Sequence, residues 1–198
     1  MKDVMDLESY EYTHTEAQLI ERQPTAEQLE ISVTSEKDLD RLRDWLETII
    51  GSEGAEQCVF VLKTMIDEDF RNHCKDATQE FGKRLATRFG EEESFFDLVP
   101  DAEFSDVRSY EPLSKVGYRG DYHSVAMLEL SQEEKRVAVL VDLTYSNVAS
   151  GIEDGTALVL YVPGSADDAM TTLQKKYGGV WKVDLKLNTT TGTFVFTQ

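Results

Sequence analysis

The hydrophobic period of this chain changes once, and that change constrains the fold more than any single motif. In the first ninety or so residues apolar side chains recur at helical spacing; from residue 123 onward they alternate. Leu39, Leu42, Trp45, Leu46, Ile49 and Ile50 mark one helix. Ser35 is its candidate N-cap, Asp38 three residues on makes a near capping box, and Gly51 ends it. After a loop GSEG, the run Cys58 to Leu62 with Met65 and Ile66 reads as a buried helix, with a strand as the lesser alternative. Ala77, Phe81, Leu85 and Phe89 are four apart and make an apolar stripe on a further helix, with Asn72 as N-cap. Residues 123–130 and 136–145 then read as strands, as does GTALVLYV. SADDAMTTLQKKYGG reads as a capped helix with Gly178 past its end, and VWKVDLKL, NTTTG and TFVF as a final hairpin. Helices followed by mostly antiparallel strands give an α+β fold, with the N-terminal helices packed on the sheet. Between the two regimes, FFDLVPDAEFSDVRSYEPLSKVGYRGD reads as a long connection of the kind that often carries function.

Residues 1–30 are polar and weakly patterned and are expected to form a loosely structured arm. Residues 31–198 are expected to form a single domain. A chain of 198 residues buries roughly 70% of its extended surface, so it needs neither a disulfide nor a metal to fold. Thirty-eight carboxylates face twenty basic residues, for a net charge of -18. Such a surface repels phosphates and anionic lipid, which argues against nucleic-acid and membrane partners and suits a basic protein partner. No signal-peptide pattern and no membrane-length apolar run is present, so the expected compartment is a reducing cytoplasm, with Cys58 and Cys74 as free thiols.

Chemistry concentrates in three places. A hairpin turn centred on Gln132 and Glu133 makes His123 and Asp142 directly opposed cross-strand neighbours on one face. An aspartate there can accept the imidazole N–H, fix the tautomer and stabilise the imidazolium. Cys74 falls in the first turn of its helix, near unpaired amides and the positive end of the helix dipole. Both favour thiolate, the nucleophilic form. If that helix start abuts the His123 strand, the three make a Cys74–His123–Asp142 constellation with oxyanion donors at hand. Cys58, inside an apolar run, reads as a small core hydrophobe.

The segments NHCKDATQEFGKRL, DYHSVAMLEL and KRVAVLVDLTY together resemble the transglutaminase-like branch of the papain-like cysteine enzymes. Cys74, Asp76 and Ala77 match its C-x-D-x-A helix start. His123 and Ser124 match its HA or HS strand, and Asp142 and Thr144 its hydrophobic-D-x-T strand end. The match spans about residues 70–147. His73 stands where the family often has a small residue, and no tryptophan follows His123. Gln57 and Asn72 are the candidates for a helper amide. The resemblance implies a papain-like/transglutaminase-like core and acyl transfer from a peptide or protein amide through a thioester, without cofactor or metal. Cys74 would be the nucleophile, His123 the acid and base, and Asp142 its orienter. Water as acceptor gives a hydrolase or deamidase, an amine a transferase.

Rival chemistries have less support. A metal site from His73, Cys74, His123 and Cys58 lacks C-x-x-C or H-x-x-x-H spacing. GYRGD and GSEG lack the spacing of phosphate-binding loops. A non-catalytic acidic protein that occupies a basic surface, as inhibitors and immunity proteins do, is the competing function and fits the charge.

Overall fold

The computed structural model describes residues 30–68, 70, 73–88, 92–132 and 135–197. Of the expected arm, only Glu30 lies within them, and it opens a strand. The elements run β1 Glu30–Val33, α1 Glu36–Ile66, α2 Cys74–Leu85, α3 Phe95–Leu98, β2 Glu103–Ser109, β3 His123–Gln132, β4 Lys135–Asp142, α4 Tyr145–Val148, β5 Ala157–Pro163, α5 Ala166–Tyr177, β6 Trp181–Asn188 and β7 Thr193–Phe196. The strands form one seven-stranded sheet in the order β1-β5-β4-β3-β2-β6-β7, and every pairing is antiparallel. The fold is α+β.

Side chains alternate across each strand, and here both faces are covered. Ala126, Leu128, Val139, Val141 and Val159 meet Leu42, Leu46, Leu62 and Phe81 of α1 and α2. Val125, Met127, Leu140 and Leu158 meet Leu173 and Tyr177 of α5. This explains why VAVLV and ALVLYV are unbroken apolar runs. Each fully buried Leu or Phe stabilises the fold by about 1.5–3 kcal/mol. Among the described residues no helix is long and apolar enough to cross a membrane.

Three expectations change. Gly51 does break the helical backbone, with φ 78° and ψ 169°, but the helix resumes at once. GSEG is therefore no loop, and α1 is two helical arms about a kink that glycine permits. Its start is capped as expected: the Asp38 carboxylate accepts from Ser35 N–H at 3.0 Å and Ser35 Oγ at 2.8 Å.

The long connection contains α3 and β2, and β2 is a central strand between β3 and β6. It escapes the sequence reading because Asp106 and Arg108, alternate residues on its α2 side, are both buried and pair with each other. Mutual neutralisation hides a strand that looks polar.

The third change is the β3–β4 register. Gln132 pairs with Lys135 and Ala126 with Val141, a displacement of two residues from a turn centred on Gln132 and Glu133. A shift of two keeps every side chain on its face, where a shift of one would have reversed them.

Candidate active site

Cys74 is the first residue of α2, with His73 at the N-cap. The helix's first internal bond runs from Ala77 N–H to His73 O at 2.9 Å. The amides of Cys74, Lys75 and Asp76 therefore lie outside the internal ladder. The N-cap is therefore His73 and not the expected Asn72; Asn72 itself, and Phe89 of the apolar stripe, fall outside the described residues. The buried stripe Ala77, Phe81 and Leu85 holds α2 across β3 and β2. That packing brings its N-terminus to the sheet end where β3 starts and β4 stops.

His123 opens β3 and Asp142 closes β4. They are not directly opposed, because the observed register, continued past Ala126 and Val141, sets His123 against Thr144. They are diagonal neighbours on the α5 side, and His123 Nε2 meets Asp142 Oδ2 at 2.9 Å. Both are buried, at 1% and 2% exposure. A carboxylate this deep must be fully bonded, and it is. Thr144 donates to Oδ1 from its N–H at 3.0 Å and its Oγ1 at 3.4 Å. Tyr177 Oη donates to Oδ2 at 2.7 Å. Rings of Tyr118, Tyr177 and Trp181 surround His123 with centroids at 6.1, 6.0 and 6.1 Å.

The electrostatics follow from this enclosure. Burial, the largest influence, disfavours the imidazolium, but the charge and hydrogen bond of Asp142, followed by Cys74, outweigh it. The His123 pKa rises to about 10. Nε2 is engaged by Asp142, which leaves Nδ1 as the ring nitrogen free to meet the sulfur. Cys74 is partly exposed and also acts on Tyr118 and Tyr122. Both phenols are raised, first by burial and next by the negative charge Cys74 can carry. Cys74 thus lies near enough to His123, Tyr118 and Tyr122 to act on each of them electrostatically. The three residues singled out from the sequence are brought together.

Ser124 of the matched HS pair faces the opposite side of the sheet. It accepts from Arg108 Nε at 2.9 Å. Arg108 also pairs with Asp106 and, at 2.9 Å, with Asp184, while Gln79 of α2 donates to Asp106 at 3.2 Å. The guanidinium lies 5.8 Å from the centroid of the Tyr122 ring. Burial opposes its charge, but Asp106 more than compensates and holds the guanidinium above its ordinary range. This network ties α2, β2 and β6 to the wall of the site.

The remaining candidates lie elsewhere. Cys58 is packed in the α1 core, where burial pushes its thiol up to about 12. Both thiols are free. Gln57 has a buried amide nitrogen without a hydrogen-bond partner and makes no bond to the site. His73 is exposed and pairs with Asp76 at 3.5 Å. Among the described residues no three His, Cys, Asp or Glu side chains group to hold a metal.

Cavities adjoin the site among the described residues. One of about 220 Å³ is lined by Phe70 and Thr144 among others. Another of about 360 Å³ is lined by Tyr118, Ser146 and Asn147. Cys74 and His123 line neither.

Tyr177, Trp181 and Tyr118 were not singled out in the sequence. For Tyr177 a signal existed, because Ala169, Leu173 and Tyr177 recur every fourth residue and form the buried stripe of α5. For Tyr118 and Trp181 no local signal marks the role. Comparison with known family models, curated proteins and solved structures finds no match to this chain.

Proposed function

We propose that this chain is a thiol-dependent acyl-transfer enzyme acting on a peptide or protein amide in a reducing cytoplasm, on a papain-like, transglutaminase-like arrangement of helix and sheet. The observation that carries the reading is the buried His123–Asp142 pair at 2.9 Å set against a cysteine at the first position of a helix. The Cys74 proton passes to His123, and the resulting imidazolium is stabilised by Asp142. The thiolate attacks the amide carbonyl; a C–S bond forms and the carbonyl π pair moves to oxygen. The first amides of α2 offer donors to that oxyanion. Collapse breaks the C–N bond, His123 protonates the departing amine, and a thioester remains. Water or a second amine then attacks, with His123 as base, and the thiolate leaves. Proton transfer of this kind contributes roughly 10²–10⁴-fold.

The test is iodoacetamide alkylation resolved by cysteine, across pH, on wild type and His123→Ala. Rapid reaction of Cys74 near pH 6 that disappears in His123→Ala supports the pair. A Cys74 rate indifferent to position 123 sinks it.

A second reading rests on the net charge of -18. In it the chain is an inhibitor or immunity-type protein that covers a basic surface of a protein partner. Binding would then weaken with salt, and Cys74 would be replaceable.

A further inference from the structure

We infer that Tyr177 is a positioning residue of this site: its hydroxyl holds Asp142 and sets how much of the carboxylate's charge reaches His123. The inference rests on the catalytic reading above and adds a member from α5, an element that supplies no other group to the triad.

The geometry is a contest for one oxygen. Asp142 Oδ2 accepts from His123 Nε2 at 2.9 Å and from Tyr177 Oη at 2.7 Å. Oδ1 is occupied by Thr144, so the carboxylate cannot rotate to serve the two donors with separate oxygens. In a buried site, a donor that shares an acceptor draws off charge its neighbour would otherwise feel.

Tyr177 is fixed at both of its ends. Its side chain is fully buried, with ring centroids of Tyr145 and Trp181 at 6.1 and 5.6 Å. Its carbonyl accepts from Lys115 N–H at 3.0 Å. The next residue, Gly178, has φ 81°, and a Cβ there would stand 2.5 Å from Ser114 Oγ and 3.0 Å from Ser114 N. The helix end therefore abuts the 110–122 loop that carries Tyr118 against His123. One residue orders both the acid and the wall.

The charged and titratable groups around the pair are few. His123 faces Asp142, Cys74 and Tyr118; Tyr177 faces Asp142, Tyr145 and Glu30, the last paired with Lys176 at 2.7 Å. Burial, then Asp142, raises the Tyr177 phenol well above its ordinary value. That upward shift favours the protonated phenol, the form that donates to Asp142.

The experiment is a ¹⁵N imidazole titration of the full chain, tractable with three histidines. In Tyr177→Phe, Oδ2 serves His123 alone, and the His123 midpoint should rise by about one pH unit, the shift that one hydrogen bond to a charged group sustains. Uniform 3-fluorotyrosine strengthens the phenol as donor and should lower the midpoint. Tyr177→Phe should abolish that lowering. If Tyr177→Phe does not fold, the fluorotyrosine protein still reads the coupling. An unmoved midpoint in the folded variants overturns the inference, because a purely structural tyrosine changes stability and not this titration. Cys74 alkylation, followed in the same proteins and in His123→Ala, separates the two ideas. A shifted midpoint with alkylation indifferent to His123 sinks the catalytic reading alone and leaves the Tyr177–Asp142–His123 coupling standing.

Discussion

Asp142 bonds His123 at 2.9 Å across the end of a hairpin whose ladder stops at Ala126 and Val141, so the two meet diagonally beyond the last paired residues. The pair is buried, and its stability signature follows from the direction of the His123 shift. The folded pKa is raised from 6.5 to about 10. The pair's stabilisation is therefore complete below pH 6.5 and is lost as pH rises toward 10. Urea midpoints of the wild type should fall through that window. Asp142→Asn should cost about 3–5 kcal/mol near pH 6, the usual cost of breaking a buried pair, and should flatten the slope. A slope that persists in Asp142→Asn assigns the pH dependence to other groups.

The same pair shows how far the sequence could be read. His123 and Asp142 were legible as partners because β-strand periodicity fixes the face, and face survives a two-residue error in register. Cys74 was legible because a helix start is a local signal. β2 was not, since its buried side chains Asp106 and Arg108 carry opposite charges and only their contact makes them compatible with a core. The kink at Gly51 was half visible. Glycine marks the break, but resumption of the helix at Ser52 depends on packing against the sheet. Tyr177, 35 residues from Asp142 in sequence, is legible as part of the buried stripe of α5, but which residue it meets is set only by where that helix docks.

The two thiols should differ by exposure and charge. Cys58 is 3% exposed and its thiol is raised to about 12 by burial. Its alkylation requires opening of the α1 core, so its rate should track global stability and rise with urea. Cys74 is partly exposed and should react in the native state. Peptide mass spectrometry after brief labelling at neutral pH should find Cys74 modified and Cys58 protected. Comparable labelling of both in the absence of denaturant would contradict the burial of Cys58.

Arg108 neutralises two carboxylates at once, Asp106 and Asp184. Arg108→Met keeps much of the side-chain volume but leaves Asp106, which is fully buried, without its cation. The expected cost is about 3–5 kcal/mol in urea unfolding at pH 7. Protonating the stranded carboxylate relieves the penalty, so the deficit should shrink as pH falls. Asp106→Asn in the Arg108→Met background should recover part of the loss. A deficit independent of pH would mean that packing, and not charge, is what Arg108 supplies.

Gly82 links helix packing to the site. A Cβ there would lie 2.7 Å from Phe104 Cε1. That ring is 1% exposed and edge-packed against Phe81 and Phe194 at 6.0 and 5.9 Å, so it has little room to yield. Alanine should gain up to about 1 kcal/mol in helix propensity, but overpacking of this kind costs about 1–3 kcal/mol. Relief comes by lifting α2 from the sheet, which carries Cys74 away from His123. Gly82→Ala should therefore lower the pH 6 alkylation rate of Cys74 several-fold. Leu42→Ala, in the first arm of α1, should cost about 2–5 kcal/mol and leave that rate unchanged while the protein is folded. Equal rates in the two folded variants would show that the position of α2 over Phe104 does not govern the thiol.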